Sequence, residues 1–298
     1  MRVMDIDPEV LRRDAEAIDH ATEQTTIHVE AEIKGVIPEL METLTPEGPY
    51  AYTILPEVHP DGSVRLPILT TWEEIEEAYK LVRGMSALLS VIPLTEIRGE
   101  WYTFQDNVSR GELRATGERG AHQTLALFPS GRGTGITGEL IWVRVPRAAL
   151  GARGDATEAS AEVTDEMFVR EEVLLLHERY MEALRLADVE GVLETFNDGV
   201  ASAVRDYVND TGTLTTLEGK DAHRAYYEAL FEKYEIRSVQ AFDRVAEEWY
   251  MFAELRMTVS PRSGADGRGP LAFHTAEFFI PANDGRFIAR IGHGTDPA

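Results

Sequence analysis

The sequence predicts an α+β fold that is built twice along the chain, once in each half. The first observation is a short aromatic string, which occurs as GEWYTF at 99–104 and again as EEWYMF at 247–252. The second is the order of patterns in the second half, where three segments with helical spacing precede three strand-like segments. Helices followed by a run of antiparallel strands are typical of α+β domains.

Three further pairs of similar strings support a duplication. They occur in the same order in both halves, at offsets between 145 and 152 residues, as expected for one repeat with small loop insertions. The pairs are METL at 41–44 with LETF at 193–196, LTT at 69–71 with LTT at 214–216, and HQTLALFP at 122–129 with HTAEFFIP at 274–281. We therefore predict domains at 1–148 and 165–298, joined by a linker at 149–164 that is rich in small residues.

The first copy is predicted to begin with a helix near Pro8, because Asp7 is a suitable N-cap and proline suits the first helical turn. Apolar residues at helical spacing predict another helix over 26–44. Strand-like segments follow at 50–55, 97–108, 121–128 and 138–145.

The second copy has the clearer pattern. Its first helix lies within 169–196, and Asp188 is a suitable N-cap for a second, short helix. One face of the first helix carries Val173, Leu176, Tyr180 and Leu184. A third helix is predicted over 220–232, and strands are predicted at 242–259, 271–281 and 286–293.

Composition excludes several classes of function. The formal net charge is −23 and no basic stripe is present, which argues against nucleic acid or an anionic membrane as a partner. Cysteine is absent, so disulfides and thiolate metal sites are excluded. The first residues carry no apolar signal segment, and no apolar run has the length of a membrane helix. We therefore expect a cytoplasmic protein.

The motifs predict neither a cofactor nor a metal. GTGITG at 133–138 matches the glycine pattern of dinucleotide-binding loops, but a predicted strand follows it where such loops need a helix. We interpret it as a hairpin loop. The eight histidines show no HExxH or comparable spacing.

The second copy resembles the NTF2-like superfamily, which includes the SnoaL-like cyclases and the ketosteroid isomerases. The likeness lies in the order and spacing of ERYMEALRLADVEGVLETFND, SAVRDY, GKDAHRAYYEALF and HTAEFFIPANDGRFIARI, which together span most of 169–295. It implies a cone of helices on a strongly curved antiparallel sheet that encloses an apolar pocket. It also implies that the convex faces of two copies pack together, so this chain would form an intrachain pseudo-dimer.

The alternation along the repeated strand agrees with this expectation. Trp249 and Met251 fall on one face, whereas Tyr250 and Phe252 fall on the other. Large aromatic side chains on both faces indicate that both are covered, one by helices and one by the sister copy. We expect the substrate pocket to be lined by Trp249, Met251, Tyr227 and Phe279.

The resemblance also implies a catalytic set. Ketosteroid isomerases use a tyrosine on the first helix, an aspartate base on the first strand and a protonated aspartate on a later strand. Tyr180 matches the tyrosine, Asp206 matches the base with two extra residues, and Glu277 falls near the third position. The register leaves His274 as the alternative to Glu277, since the two lie on opposite faces of one strand.

The first copy departs from this pattern. At a constant offset of 152 residues, Tyr180 corresponds to His28, Asp206 to Ile54 and Glu277 to Leu125. We therefore expect the first copy to have lost its carboxylates and to serve as a structural partner or to bind another apolar ligand.

These features predict a small-molecule enzyme that needs no cofactor. The expected chemistry is acid–base isomerisation, cyclisation or dehydration of an apolar substrate of polyketide, steroid or terpenoid type. An epoxide hydrolase or epoxide-opening cyclase of the same fold is one alternative. A non-catalytic ligand-binding or assembly module is the other, because a fold does not fix a function. Further pairing into a homo-oligomer stays open.

Overall fold

The computed structural model describes residues 7–46, 50–53, 56–131, 135–151, 166–209, 211–262 and 269–297. Its contacts divide the chain into two compact units. The first consists of Met1–Ile54 and Leu69–Arg144, and the second of Leu55–Ile68 and Val145–Ala298. We call them the first and the second copy.

The first copy contains three helices and a six-stranded sheet. The helices are α1 (Pro8–Lys34), α2 (Ile37–Met41) and α3 (Trp72–Met85). The strands of the sheet are β1 (Ala51–Thr53), β4 (Ile68–Leu69), β5 (Ser86–Arg98), β6 (Tyr102–Leu113), β7 (Arg119–Pro129) and β8 (Gly138–Val143). A short hairpin, β2 (Glu57–Val58) with β3 (Val64–Arg65), falls in the segment that belongs to the second copy.

The second copy repeats this plan. Its helices are α4 (Glu166–Leu186), α5 (Val189–Glu194) and α6 (Gly219–Lys233). Its strands are β9 (Phe196–Arg205), β10 (Leu214–Glu218), β11 (Tyr234–Ala246), β12 (Met251–Pro261), β13 (Leu271–Pro281) and β14 (Phe287–Gly294). A 3₁₀ turn at Arg147–Ala149 precedes α4.

The two sheets share one topology, which confirms the predicted tandem α+β arrangement. Their strand orders are β4-β1-β8-β7-β6-β5 and β10-β9-β14-β13-β12-β11. In each sheet the last strand of the copy lies beside the first strand of the copy and runs parallel to it, as β8 does beside β1 and β14 beside β9. Each sheet is therefore mixed, because this crossover adds one parallel pair to the antiparallel sheet that the resemblance implied.

The repeated aromatic string marks a turn, whereas the sequence predicted the middle of a strand. In the first copy, Gly99 N–H donates to the carbonyl of Tyr102 at 2.9 Å, between β5 and β6. In the second copy, Glu247 N–H donates to the carbonyl of Tyr250 at 2.9 Å, between β11 and β12. The predicted strand 242–259 is thus two strands joined by a tight turn. The identical bond at an offset of 148 residues supports the duplication.

Helix ends correct the predicted boundaries in the first copy. The helix near Pro8 and the first part of the predicted helix over 26–44, up to Lys34, form the single helix α1, whose N-terminus is capped by the Asp7 carboxylate. It ends at Gly35, which has a left-handed φ of 69°. Ala187 takes the equivalent place after α4 with a φ of 52°, at an offset of 152 residues. Only glycine adopts this conformation at little cost.

A hydrophobic core lies between helices and sheet in each copy. In the second copy it includes Tyr180 and Leu184 from α4, Tyr227 from α6, and Met251 and Phe279 from the sheet. The separate core of the first copy includes Ala31, Leu40, Ile75, Tyr79 and Phe128. Met251 and Phe279 are register partners on β12 and β13, so both side chains project from the same face.

The division into units departs from the predicted domains in one place. The segment Leu55–Ile68 groups with the second copy, although the sequence placed it within 1–148. Its hairpin packs on the second copy, where Gly151 N–H donates to the carbonyl of Gly62 at 2.9 Å. Most of the predicted linker at 149–164 and part of the GTGITG loop lie outside the described residues. The pseudo-dimer and any further pairing stay predictions.

None of the helices in the described part of the chain combines the length and the apolar character that spanning a bilayer requires.

Replacing Ala187 with glycine is expected to stabilise the protein. The substitution removes the Cβ clash of a left-handed residue, and a gain of about 0.5–1 kcal/mol remains after the larger chain entropy of glycine is subtracted. Urea unfolding of the wild type and the variant measures the difference. Gly35→Ala is the reciprocal variant and should be destabilising. Shifts of the same sign in both variants, or a loss for Ala187→Gly with a gain for Gly35→Ala, would contradict the assignment.

Candidate functional site

A buried ion pair lies at the centre of the second copy. Arg290 on β14 binds Glu277 on β13 through two parallel hydrogen bonds, Nε to Oε2 and Nη2 to Oε1, each 2.7 Å long. The side chains are 10% and 2% exposed. Gly292 is the register partner of Glu277, and a Cβ on this glycine would lie 2.6 Å from the Glu277 Cγ atom. The missing side chain therefore makes room for the pair.

Two tyrosines extend the ion pair towards the helices. Arg290 Nη1 donates to the Tyr227 hydroxyl of α6 at 2.7 Å, and that hydroxyl lies 3.1 Å from the Tyr180 hydroxyl of α4. The guanidinium carbon is 5.5 Å from the centre of the Tyr180 ring. A continuous polar chain thus runs from Glu277 through Arg290 and Tyr227 to Tyr180.

Burial and charge fix the protonation states of these groups. Burial alone would raise the pKa of Glu277, but the charge and hydrogen bonds of Arg290 outweigh it and hold that pKa below its ordinary value. Burial raises the pKa of Tyr180 well above its ordinary range, and it also raises the pKa of Tyr227. At neutral pH the site therefore holds one carboxylate, one guanidinium and two neutral phenols.

The network lines a small cavity with mostly apolar walls. The cavity has a volume of about 30 Å³. Its apolar lining comprises Leu184, Val204, Leu230, Val239, Leu255, Met257 and Phe273, and its polar lining comprises Tyr180, Arg205, Tyr207, Tyr226, Tyr227, Thr275, Glu277 and Arg290. Tyr226, Met257 and Thr275 are partly exposed and mark its outer end.

The structure brings together three of the predicted site residues. Tyr180, Glu277 and Tyr227 all line the cavity. Met251 and Phe279 pack in the adjoining core and are not among the residues that line it. Trp249 lies in the turn before β12, where its ring contacts Tyr250, so the strand interpretation that pointed it into the pocket was wrong.

Asp206 has a different role from the predicted base. Its carboxylate accepts hydrogen bonds from the backbone N–H groups of Val208 and Asn209, both 2.9 Å long, and from the Asn209 side chain at 2.7 Å. These bonds close the turn that follows β9, and Asp206 is not among the described residues that line the cavity. Asp206 ends its strand as a turn cap because aspartate readily bonds to backbone N–H groups two and three residues ahead.

His274 faces away from the cavity lining. It lies on β13 beside Arg256 of β12, its register partner, and it is partly exposed. Burial, followed by the charge of Arg256, lowers its pKa. Glu277 rather than His274 reaches the polar chain.

The sequence analysis missed Arg290, which is the central member of the network. One signal could have indicated it. The stretch FIARIGHG places one arginine in an otherwise apolar strand, and a buried charge of this kind requires a partner. Glu277 on the preceding predicted strand was the available carboxylate.

The first copy has its own buried polar cluster. Tyr79 on α3 donates to Glu139 on β8 at 2.6 Å, and His28 Nε2 on α1 lies 3.3 Å from the Tyr79 hydroxyl and 3.6 Å from the Glu139 carboxylate. The exposed fraction is zero for His28 and 4% for Glu139. Glu139 thus gives this copy a buried carboxylate at a position that the predicted catalytic set did not include.

Strand register shows which residue of the second copy Glu139 matches. Met251 pairs with Phe279 in one copy, and Thr103 pairs with Phe128 in the other. The offset on this strand is therefore 151 residues, so Glu277 corresponds to Ala126 and not to Leu125. Continuing the pairing of β7 with β8 by one residue places Glu139 opposite Phe128, as Arg290 lies opposite Phe279.

Further polar groups surround Glu139. Arg83 of α3 donates to Glu32 of α1, and burial followed by the charge of Glu139 raises the pKa of Glu32 to about 7. Tyr52 of β1 is the register partner of Glu139. Burial, followed by the charges of Glu139 and Glu32, raises the Tyr52 pKa well above its ordinary range.

Comparisons with known proteins give distant structural likenesses alone. No protein-family model matches the chain, and no curated protein matches it. Solved structures that match include an NTF2-like protein from Burkholderia pseudomallei, with 16% identity over 42% of this chain and 92% of that chain and a TM-score of 0.36. This is the superfamily that the sequence resembles.

Two further matches are enzymes by name. An LEH-like epoxide hydrolase from M. tuberculosis has 14% identity over 42% of this chain and 84% of its own, with a TM-score of 0.34. The epoxide hydrolase/cyclase-like enzyme SalBIII of pyran ring formation in salinomycin has 14% identity over 43% of this chain and 95% of its own, with a TM-score of 0.35. Likeness at this level gives no chemistry, so function has to be argued from the residues.

Glu277→Gln is expected to lower the free energy of unfolding by about 3–5 kcal/mol, because it leaves the Arg290 charge buried without its counter-ion. Chemical denaturation measures the loss. Glu235→Gln is the control, since Glu235 forms an exposed pair with Arg237 and should change stability by less than about 1 kcal/mol. A loss at Glu277 no larger than at Glu235 would contradict the buried-pair assignment.

His177 is expected to make stability depend on pH. Its ring packs against Phe279, neither ring nitrogen has a hydrogen-bond partner within the described chain, and burial lowers its pKa to about 4. The unfolded chain binds this proton near pH 6.5, so stability is lost as pH falls from about 6.5 towards 4.

His177→Phe should remove up to one proton from this dependence, or about 1.4 kcal/mol per pH unit at most. Urea unfolding at several pH values between 7 and 4 measures both slopes. Parallel slopes for the two proteins would show that His177 does not carry the effect.

Proposed function

We propose that the second copy is a cofactor-free enzyme that binds a small, largely apolar molecule through one of its oxygen atoms and assists proton transfer at that molecule. The observation that carries this proposal is a spare hydrogen-bond donor. It belongs to the pair of phenols, Tyr180 and Tyr227, that lines an otherwise mainly apolar cavity.

Counting hydrogens identifies the donor. The Tyr227 oxygen accepts a hydrogen bond from Arg290, and the two phenols share a single hydrogen bond. Two phenolic hydrogens serve one mutual bond, so among the described contacts one hydrogen has no acceptor. A carbonyl, hydroxyl or ether oxygen of a bound molecule would supply that acceptor.

The surrounding charges suit a donor of this kind. The Arg290 guanidinium polarises the phenols, while their raised pKa values keep both protonated at neutral pH. Donors fixed in a poorly solvated site stabilise negative charge that develops on a substrate oxygen. Isomerisation, cyclisation and dehydration all develop or release such charge, and these are the reactions that the sequence resemblance implied.

Glu277 supports this role indirectly. Both of its oxygens accept hydrogen bonds from Arg290, and its lowered pKa makes it a weak base. We therefore assign it to neutralising and positioning Arg290. Asp206 is no longer proposed as the base, because its carboxylate closes a turn.

The size of the cavity adds a requirement. A volume of about 30 Å³ holds roughly two water molecules, whereas small-molecule pockets measure about 300–1,000 Å³. Binding therefore requires an outward movement of partly exposed side chains at the cavity end. Met257 is suited to this movement, because its unbranched side chain has three rotatable bonds.

The epoxide-opening alternative receives less support. It calls for two carboxylates across the pocket, and within the described lining Glu277 is the single carboxylate. The binding-module alternative shares the donor and differs only in lacking turnover, so experiment separates it.

The test uses 2-naphthol as a binding probe and 2-tetralone in D₂O as a proton-transfer probe. We expect naphthol to bind and the α-hydrogens of the ketone to exchange with solvent faster than in buffer. The double variant Tyr180→Phe/Tyr227→Phe should weaken naphthol binding by about tenfold and slow the catalysed exchange by about 10²-fold, since either phenol alone would still offer a spare hydrogen. Fluorescence titration and NMR measure the two quantities.

Tyr234→Phe is the matched control, because Tyr234 is a buried tyrosine of the same core that does not line the cavity. It should leave both quantities unchanged. Binding without exchange would favour the binding module over the enzyme. If Tyr234→Phe had the same effects as the substitutions at the two cavity phenols, or if neither probe bound, the site itself would be contradicted.

A further inference from the structure

We propose that the first copy contains a site for one divalent transition-metal ion, formed by His28, Glu32 and Glu139. This inference concerns the other copy and is independent of the function proposed above. It rests on the convergence of three ligand atoms, on the tautomer of the histidine and on a buried hydroxyl that lacks a well-formed hydrogen bond.

The ligand atoms come from two elements. His28 and Glu32 are four residues apart on α1 and therefore lie on the same helix face, while Glu139 approaches from β8. One ligand atom from each residue lies within 4.8 Å of the other two. Tetrahedral bonds of about 2.0–2.2 Å to one metal ion hold ligand atoms about 3.4 Å apart, so the widest pair has to close by at most about 1.4 Å.

The histidine presents a free nitrogen to the cluster. The Thr43 hydroxyl donates its only hydrogen to the carbonyl of Leu40, so it accepts a hydrogen bond from His28 Nδ1, 2.6 Å away. In the neutral ring the Nε2 lone pair then faces the Glu139 carboxylate at 3.6 Å. Two acceptors that face each other need a cation between them. In metal sites, a ligand histidine is typically held in place by a hydrogen bond from its other ring nitrogen, as His28 is here.

An independent observation comes from Tyr52. Its hydroxyl is buried and makes no well-formed hydrogen bond among the described residues, only a weaker interaction with Tyr79, and the residue as a whole is 3% exposed. Tyr52 pairs with Glu139 across β1 and β8, so the two side chains project from the same face of the sheet. A water molecule bound to the metal would give this hydroxyl a partner.

The charges favour a divalent ion. Two carboxylates and the single guanidinium of Arg83 leave the cluster with an excess negative charge when His28 is neutral. Arg83 donates to one oxygen of Glu32 and leaves the other oxygen for the ion. One imidazole with carboxylates suits zinc, iron or manganese better than calcium or magnesium, which prefer ligand sets made only of oxygen. Glu32, with 13% of its side chain exposed, provides the route of entry.

The principal competitor is a proton on His28 Nε2, which would pair with Glu139 without any metal. The experiment therefore has to separate a proton from an ion. The full chain, stripped with a chelator, is titrated with Zn²⁺ by calorimetry in excess Mg²⁺, which occupies the exposed carboxylates of this acidic protein. We expect one Zn²⁺ per chain, together with a rise in melting temperature.

Glu139→Gln preserves the shape of the side chain and should weaken Zn²⁺ binding by at least about tenfold. Glu32→Gln is the second variant, and the melting temperature in the absence of metal shows whether each variant folds. Glu30→Gln is the control, since Glu30 is an exposed carboxylate of the same helix outside the cluster. Co²⁺ provides a second readout, because its visible absorption band should be lost in His28→Asn.

Two results would overturn the proposal. One is the absence of stoichiometric Zn²⁺ binding by the folded wild type in excess Mg²⁺. The other is binding that Glu139→Gln and Glu32→Gln leave at the level of Glu30→Gln. Either result would assign the cluster to a proton shared between His28 and Glu139.

Discussion

A charge placed in the middle of a sheet has to be neutralised where it lies, and this constraint organises the second copy. Arg290 occupies β14, which lies between β9 and β13, so its guanidinium cannot reach bulk water without leaving the core. Glu277 supplies the counter-charge, Gly292 supplies the space, and Tyr227 accepts the remaining guanidinium hydrogen bond. The position of Tyr180 follows from these contacts. The cavity forms where the polar chain meets the apolar side chains of helices and sheet.

The two copies show how one scaffold can support opposite charges at the same place. The last strand carries Arg290 in one copy and Glu139 in the other, each beside a tyrosine from the third helix. The first helix supplies Tyr180 in one copy and His28 in the other. The exchange of arginine for glutamate turns an environment that supports an anion into one that supports a cation. Duplication therefore kept the positions of three polar side chains while the chemistry diverged.

The sequence predicted the fold well because its signals are local and repeated. Hydrophobic periodicity, caps such as Asp188 and recurring strings all act over a few residues, and the topology confirms the two copies that they indicated. Tyr180, Tyr227 and Glu277, which the sequence analysis singled out, all line one cavity. The failures have two causes: strand ends that the alternation of apolar residues does not show, and contacts between distant segments.

Asp206 illustrates the first cause, a strand end that the sequence pattern does not show. Its strand position could be predicted, but its hydrogen bonds to the next turn follow from where β9 ends, which the alternation of apolar residues does not show. The offset to the first copy differed by one residue on one strand, and an error of one residue exchanges the two faces of a strand. Glu139 was missed because its partners His28 and Tyr79 lie far from it in the chain.

The crossover that ends each copy has a consequence for the order in which the protein is made. Synthesis proceeds from the N-terminus, so β9 and β13 leave the ribosome before β14, the strand that has to lie between them. Until β14 is synthesised, Glu277 has no arginine with which to form an ion pair. The two parts of the second sheet that β14 later connects are not yet joined by its hydrogen bonds. The nascent second copy thus passes through a stage with two open strand edges and an unpaired carboxylate. Contacts between such distant segments form slowly, which prolongs this exposure and makes it the stage at which a chaperone would act.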